Sequence, residues 1–224
     1  MKTTNSQPLK IEVGATAVSA LLLRPEQAHA CYVFAHGAGA GMTHAFMERA
    51  AAGLAARGIA SLRYQFPYME KGSKRPDPLA SAQASVRAAV AEAARAYPGL
   101  PLIAGGKSFG GRMTSQAQAK TPLAGVVGLA FFGFPLHATG KPSVDRADHL
   151  ADVRIPMLFL QGGNDKLAEL SLLRPVVERL GPRARLQVVE GADHSFHVPV
   201  RSGRNDGEVM EEILDAFAEW STTL

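Results

Sequence analysis

Short runs of β-branched and aliphatic residues alternate along the chain with longer segments rich in alanine. Eight of the runs have the length and composition of β-strands: Lys10–Val13, Val18–Leu23, Cys31–Ala35, Ile59–Arg63, Pro101–Gly105, Gly125–Phe131, Pro156–Leu160 and Arg185–Val189. Five longer segments have helical composition: Phe46–Arg57, Leu79–Tyr97, Phe109–Lys120, Glu169–Leu180 and Glu208–Trp220. Because strands and helices alternate from the third strand onward, the pattern predicts an α/β fold with a mainly parallel sheet flanked by helices on both faces.

The connections between these elements indicate one domain. Only Gly14–Ala17 separates the first two strands, which favours a hairpin that adds an antiparallel edge to the sheet. No repeat, low-complexity tract or linker divides the chain, so we expect a single domain over residues 1–224. About two dozen residues, Phe132–Ile155, connect the sixth and seventh strands, too few for an independent lid domain.

Composition and charge argue against several other classes of protein. The 224 residues are 46% hydrophobic and 20% charged, which is enough apolar material for a full core. The single Cys31 forms no internal disulfide and Met1–Lys10 has no apolar targeting segment, so we expect a cytoplasmic location. The charge-free stretch between Lys120 and Lys141 is too broken by proline and glycine to insert into a membrane. The net charge of +4 is scattered, which argues against a nucleic-acid partner, and the sequence leaves the oligomeric state open.

A predicted junction of strand, sharp turn and helix is the most informative segment. The apolar run Pro101–Gly105 leads into Gly106-Lys107-Ser108-Phe109-Gly110, a G-x-S-x-G pattern that opens a helical segment. In a nucleophile elbow the serine lies at the apex of such a turn, and the flanking glycines allow strand and helix to approach closely. A phosphate-binding loop fits poorly, because Pro101 replaces its first glycine and the following residues resemble a strand. Ser108 is therefore the candidate nucleophile.

A second glycine-rich segment, His36–Gly41, follows the third predicted strand. It lacks the last glycine of a dinucleotide-binding fingerprint. Hydrolases with a nucleophile elbow place an oxyanion-binding amide after this strand. We assign that amide to Ala38, with Gly39 as the alternative, and the second amide to Phe109. A turn that merely ends the strand is the competing interpretation, and we expect His36 to have a structural role.

A serine nucleophile needs a base, and the base needs an acid that fixes its tautomer. Asp165 lies in the loop after the seventh predicted strand and His194 in the loop after the eighth. The chain order Ser108, Asp165, His194 is that of the α/β-hydrolase triad. His197 is the competing base, but His194 lies nearer the strand end. Asp193 is the competing acid, but as the chain neighbour of His194 it is poorly placed to reach Nδ1 of that ring.

Three segments carry a resemblance to a known family: Phe34–Met42, Arg63–Glu70 and Gly105–Arg112. The chain resembles a small, lidless α/β-hydrolase of the dienelactone-hydrolase-like branch. More narrowly, it resembles a group related to a testis-expressed protein and to a regulatory subunit of the animal non-specific-lethal chromatin complex. The resemblance extends from around Leu9 to the last helix and implies the fold rather than a substrate. Ser108 stands where dienelactone hydrolases have cysteine, which argues against dienelactone itself.

Two loops at the same end of the predicted sheet supply apolar side chains that we expect to line a substrate pocket. They contribute Tyr64, Phe66, Tyr68, Met69 and Phe134. The alternative is that these side chains only cover the edge of the sheet. Lys107 and Arg112 flank the elbow and are candidates for attracting an acidic substrate, although a solvated or ion-paired role is favoured for both. The seven histidines form no metal-binding motif, and the chemistry expected here needs no cofactor.

These features predict a serine hydrolase that cleaves a carboxylic ester or thioester through an acyl-enzyme intermediate. Ser108 is expected to attack, His194 to take and return the proton, and Asp165 to orient His194. The partner is then a small ester-type molecule. The alternative from another class is a non-catalytic α/β-hydrolase scaffold that binds a protein partner, and the complete triad favours the enzyme.

Overall fold

One eight-stranded sheet organises the structure, a computed structural model that describes residues 6–224. Its strands are β1 (Gln7–Val13), β2 (Thr16–Leu23), β3 (Ala30–Ala35), β4 (Ile59–Tyr64), β5 (Leu102–Lys107), β6 (Val126–Phe132), β7 (Met157–Gly162) and β8 (Ala184–Val189). They lie in the order β1-β2-β4-β3-β5-β6-β7-β8. β1 and β2 form the predicted antiparallel hairpin, β2 pairs antiparallel with β4, and the pairs from β4 to β8 are parallel. The first five residues of Met1–Lys10, where we expect no targeting segment, lie outside the described residues.

Helices cover both faces of this sheet, as predicted. They are α1 (Ala45–Ala56), α2 (Pro67–Glu70), α3 (Leu79–Ala96), α4 (Phe109–Lys120), α5 (Leu170–Leu180) and α6 (Asp206–Ser221). Apolar side chains of α1 and α6 pack on one face, and those of α3, α4 and α5 pack on the other. A capping box between Asn205 and Glu208 begins α6, because each side chain accepts a hydrogen bond from a backbone amide of the other.

The central strands are buried along their whole length because helices cover both of their faces. All six residues of β3, β4 and β7 are buried. Adjacent residues of β6 point into opposite cores. Phe132 stacks on Phe217 of α6 at 6.0 Å between ring centroids, whereas Phe131 packs against Phe159 at 4.9 Å. These strands therefore hold their carboxyl ends, and the loops that follow them, in fixed positions.

The connection between β6 and β7 packs onto the same core as α4 and α5. It contains the 3₁₀ helix Asp145–Asp152, whose Ala147 and Leu150 are buried. Within residues 6–224 there is consequently no separate lid, which agrees with the prediction. Nor does the described part of the chain contain a helix long and apolar enough to cross a membrane.

The structure confirms the predicted strands and the five longer helices and corrects some of their ends. Pro101, predicted to begin the fifth strand, is exposed and precedes β5. The short helix α2 was not predicted, because it begins at Pro67 within a segment whose composition indicates a loop. Its Tyr68 is buried, and the hydroxyl of this residue contacts the glycine-rich loop after β3.

Candidate active site

Ser108 lies at the apex of a strained turn between β5 and α4. Its φ of 49° and ψ of −113° form a conformation that L-residues rarely adopt. The Ser108 amide donates to the Phe132 carbonyl oxygen at 3.1 Å, which anchors the turn to the neighbouring strand. A Cβ atom on Gly110 would lie 2.6 Å from the carbonyl oxygens of both Ala35 and His36. Only glycine therefore allows α4 to approach β3 this closely. A Cβ on Gly106 would lie 2.9 Å from the Gly110 backbone, so glycine also allows β5 and α4 to approach each other, as the sequence predicts.

The structure brings Ser108, His194 and Asp165 together at the carboxyl ends of β5, β8 and β7. Nδ1 of His194 lies 2.6 Å from Oδ2 of Asp165, and Nε2 of His194 lies 2.9 Å from Oγ of Ser108. A carboxylate can only accept, so Nδ1 carries the hydrogen and Nε2 is left to accept from the serine hydroxyl. This arrangement can withdraw a proton from the hydroxyl and stabilise the imidazolium that results.

Asp165 is buried and held by two further donors. Its side chain accepts from the side-chain amide of Gln161 through Oδ2 and from the Leu167 backbone amide at 2.8 Å through Oδ1. The side-chain oxygen Oε1 of Gln161 accepts from the Phe134 backbone amide at 2.9 Å, which ties the carboxylate to the loop after β6. Gln161 is not predicted as a site residue from the sequence. Its signal was an amide side chain inside the otherwise apolar run of β7.

The competing base and acid have other partners. The exposed His197 ring pairs with Asp206 at 3.0 Å, and this hydrogen bond raises the pKa of His197. Asp193 Oδ1 accepts from the amides of Ser195 at 2.7 Å and His197 at 3.0 Å, so this carboxylate closes a turn. The geometry therefore favours His194 and Asp165 over these alternatives.

The glycine-rich loop after β3 is fixed by hydrogen bonds of its own. His36 is fully buried; its Nδ1 donates to the Gly37 carbonyl oxygen at 2.7 Å, and its Nε2 accepts from the Phe66 amide at 3.1 Å. Burial lowers the pKa of His36 to about 4, so the ring is neutral. These contacts are structural, as expected for His36. The Gly39 amide donates to the Tyr68 hydroxyl at 3.1 Å, which leaves Ala38 as the better candidate for an oxyanion-binding amide.

A cavity of about 530 Å³ opens beside Ser108 and His194. Its lining comes mainly from the loop after β3, from α1 and from the loop after β8: Gly37, Ala38, Ala40, His44, Ala45, Phe46, Met47, Arg49, Lys107, Ser108, Leu167, His194, Ser195, His197 and Asp206. The contribution of α1 to this cavity is not predicted from the sequence. The position of this helix directly after the glycine-rich loop is the feature of the sequence that could have indicated its contribution.

The five side chains predicted to line the pocket lie elsewhere. Tyr64, Phe66 and Phe134 are fully buried in the core on the α3 and α4 face, whereas the cavity opens on the α1 side. Tyr68 is buried in the same core, and Met69 packs against it. The aromatic residues after β4 turn inward because α2 places them under α4, where Phe66 meets Phe109 at 5.4 Å between ring centroids. The structure thus favours the alternative that they cover the sheet.

The two cations that flank the elbow differ in position. Lys107 lines the cavity, and its ammonium donates to the His194 carbonyl oxygen at 2.6 Å. Arg112 lies outside the cavity beside Phe109, and burial followed by the charge of Arg146 lowers its pKa. Among residues 6–224, no three His, Cys, Asp or Glu side chains converge in a way that could hold a metal ion.

Comparisons with known proteins agree with this architecture. A family model described as an alpha/beta hydrolase domain matches residues 28–222. The fold is similar to that of a dienelactone hydrolase from Anabaena variabilis, with 20% sequence identity, a TM-score of 0.79 and coverage of 98% of this chain and 97% of the other. A lidless serine hydrolase from Xanthomonas campestris has 19% identity and a TM-score of 0.76, with 98% and 97% of the two chains covered. An esterase domain from Rhodothermus marinus has 15% identity and a TM-score of 0.73, with 97% and 98% covered.

Proposed function

This chain belongs to the alpha/beta hydrolase family, and on that premise we propose that it is a serine hydrolase that cleaves a carboxylic ester or thioester. The observation that carries the proposal is the continuous hydrogen-bonded chain from Ser108 Oγ through His194 to Asp165, with distances of 2.9 and 2.6 Å. The strained backbone at Ser108 supports it, because such strain concentrates at functional sites.

In the proposed reaction, Ser108 Oγ attacks the carbonyl carbon of the substrate while His194 Nε2 takes its proton. The amides of Ala38 and Phe109 donate to the oxyanion of the tetrahedral intermediate. His194 then gives the proton to the leaving alcohol or thiol, which leaves an acyl group on Ser108. A water molecule then attacks the acyl carbon while the same imidazole takes its proton; the bond to Ser108 Oγ breaks, the imidazolium returns the proton to that oxygen, and the acid is released.

The cavity beside Ser108 supports a substrate with a small apolar part. Part of its lining near the proposed nucleophile is hydrophobic and comes from Ala38, Ala40, Phe46, Met47 and Leu167. A volume of about 530 Å³ is within the range of sites that accept small organic ligands. We therefore expect a panel of p-nitrophenyl esters to show highest kcat/KM for short acyl chains.

Labelling with a fluorophosphonate tests the proposal. Ser108→Ala should abolish labelling and lower kcat by a factor of about 10³ or more, roughly 4 kcal/mol of transition-state stabilisation, because the nucleophile is lost. Ser115→Ala is a matched control: Ser115 Oγ also lies 2.7 Å from a histidine nitrogen, that of His149, but the serine is buried in α4. Label that persists in Ser108→Ala would contradict the assignment.

The rival function is a non-catalytic scaffold that binds a protein partner. Kinship with the testis-expressed and non-specific-lethal groups remains a prediction from the motifs. A folded wild-type protein that neither reacts with fluorophosphonate nor hydrolyses any ester in the panel would favour this rival.

A further inference from the structure

Lys107 directly precedes Ser108, and its side chain lies in the cavity between α1 and the loop after β8. Its Nζ lies 5.8 Å from the centroid of the Phe46 ring and 5.6 Å from that of Phe196. These two rings stack on each other at 5.9 Å with an interplanar angle of 14°. The ammonium therefore lies against a pair of aromatic rings, an arrangement that favours a cation.

The same ammonium donates to the backbone carbonyl oxygen of His194 at 2.6 Å. Gly133 forms the wall behind both groups: a Cβ atom there would lie 3.1 Å from Lys107 Nζ and 3.3 Å from the His194 ring. Lys107 thus lies close to the imidazole of His194 and also donates a hydrogen bond to the main chain of that residue. Any shift of this carbonyl moves the ring relative to Ser108.

Titratable groups from several segments surround Lys107. The carboxylates of Asp165, after β7, and Asp193, after β8, attract the ammonium, whereas its burial lowers the pKa of Lys107 to about 8. The His194 ring adjoins it. The other titratable and charged side chains that line the cavity are His44, Arg49, His197 and Asp206. Lys107 consequently changes its charge at a pH where lysine is ordinarily protonated.

We propose that Lys107 is a positioning residue: as an ammonium it holds the His194 carbonyl and so keeps the imidazole in register with Ser108. This inference rests on the proposed function. The neutral amine is a weaker donor and is no longer attracted to the two carboxylates or to the ring faces. Loss of the Lys107 proton therefore loosens the loop and lowers kcat, which gives the enzyme an upper pH limit.

Lys107→Met tests this proposal, with Lys166→Met as the matched control. Lys166 adjoins Asp165 in the chain but is exposed. Lys107→Met should lower kcat by about 10- to 100-fold with KM changed less than about threefold, because small displacements of a catalytic group are costly. The decline of kcat above about pH 8 should be present in wild type and in Lys166→Met and absent from Lys107→Met.

Chemical rescue separates positioning from simple packing. Lys107→Cys treated with 2-bromoethylamine regains an ammonium at nearly the same distance from the backbone. Cys31 should not react, because it is buried and burial raises the pKa of its thiol to about 12. The proposal is supported if the treated variant regains at least about a third of wild-type kcat and again loses activity at high pH, as the wild type does. Failure of rescue, or a kcat within twofold of wild type in Lys107→Met, overturns it.

The low-field proton resonance of His194 Nδ1 gives a readout that does not depend on turnover. Lys107→Met should shift or broaden this resonance at pH 7, and Lys166→Met should leave it in place. An unchanged resonance in Lys107→Met overturns the positioning role. A wild-type protein that shows the Lys107-dependent resonance but hydrolyses no ester would sink the proposed function alone.

Discussion

Strained backbone lies close to Ser108 on both sides of the proposed site. Among residues 6–224, the non-glycine residues with positive φ are Ser108, at 49°, and Phe196, at 63°. Phe196 lies two residues after His194 and stacks on Phe46 above Lys107. Both unfavourable conformations thus hold side chains of one site, and the rest of the fold stabilises them.

The strain at Ser108 can be measured with two inactive variants. Ser108→Gly should be more stable than Ser108→Ala by about 1 kcal/mol, because relief of a strain of roughly 1–3 kcal/mol exceeds the entropic cost of glycine in the unfolded chain. Urea unfolding at pH 7 gives both free energies. Equal stabilities, or a less stable glycine variant, would show that the turn carries no strain.

The two candidate acids should differ sharply in their variants. Asp165→Asn should lower kcat by a factor on the order of 10⁴ with KM nearly unchanged, because the amide favours the wrong imidazole tautomer. Asp193→Asn should lower kcat far less, since Asp193 Oδ1 closes the turn at Ser195 and His197 and makes no hydrogen bond to the His194 ring. Steady-state kinetics decide between them. A large loss of kcat in Asp193→Asn, combined with a small loss in Asp165→Asn, would show that Asp193 is the acid of the triad.

Residue types in strand-end loops were sufficient to predict which side chains could meet, but not what surrounds them. Ser108, Asp165 and His194 follow parallel strands, whose carboxyl ends share one edge. Gln161 was not predicted because a polar residue within a strand has many possible partners. Tyr64 and Phe66 were assigned to the pocket because composition indicates apolar burial without indicating which face of the sheet receives the side chain.

Element composition was sufficient for strand and helix positions but not for neighbours in the sheet. The helix predicted over Phe109–Lys120 has those bounds in the structure. The placement of β4 between β2 and β3 depends on how the chain crosses over the sheet, and no residue pattern in the fully buried β3 and β4 records that choice. The hairpin of β1 and β2 was predictable because its short connection permits little else.

The close approach of α4 to β3 at Gly110 can be tested by adding a methyl group there. Gly110→Ala should reduce the free energy of unfolding by about 1–3 kcal/mol and lower kcat, because the added Cβ meets rigid backbone and displaces the amino end of α4. Gly37→Ala provides the stability control, since its Cβ would lie no closer than 3.6 Å to any neighbour. Urea unfolding compares them. A Gly110→Ala variant as stable as Gly37→Ala would show that the helix is free to move.

Two charged states are suppressed by burial inside the fold, those of His36 and His149. Burial lowers the pKa of His36 to about 4, and burial followed by the charge of Arg112 does the same for His149. In the unfolded chain both titrate near 6.5. Below that pH the unfolded state binds more protons than the folded state, so the free energy of unfolding falls as the pH drops from 6.5 toward 4.

His36→Gln should flatten this acid dependence, because an amide can keep both hydrogen bonds without titrating. A pKa lowered from 6.5 to about 4 corresponds to at most about 3 kcal/mol lost near pH 4. Urea unfolding between pH 7 and pH 5 gives the slope. His197→Gln is a control that should change the slope in the opposite direction. Asp206 raises the pKa of His197, so protonation of His197 stabilises the folded state as the pH falls, and its removal should steepen the loss of stability. An unchanged slope in His36→Gln would refute this account.

The separation of the three site residues along the chain has a consequence for protein synthesis. Ser108 and His194 are 86 positions apart, and Asp165 and His194 are 29 apart. A nascent chain emerges amino end first and its elements fold as they become available. The serine on the β5–α4 turn is therefore made well before His194, its proposed base, and under the proposed function it should stay unreactive until the segment that follows β8 has left the ribosome.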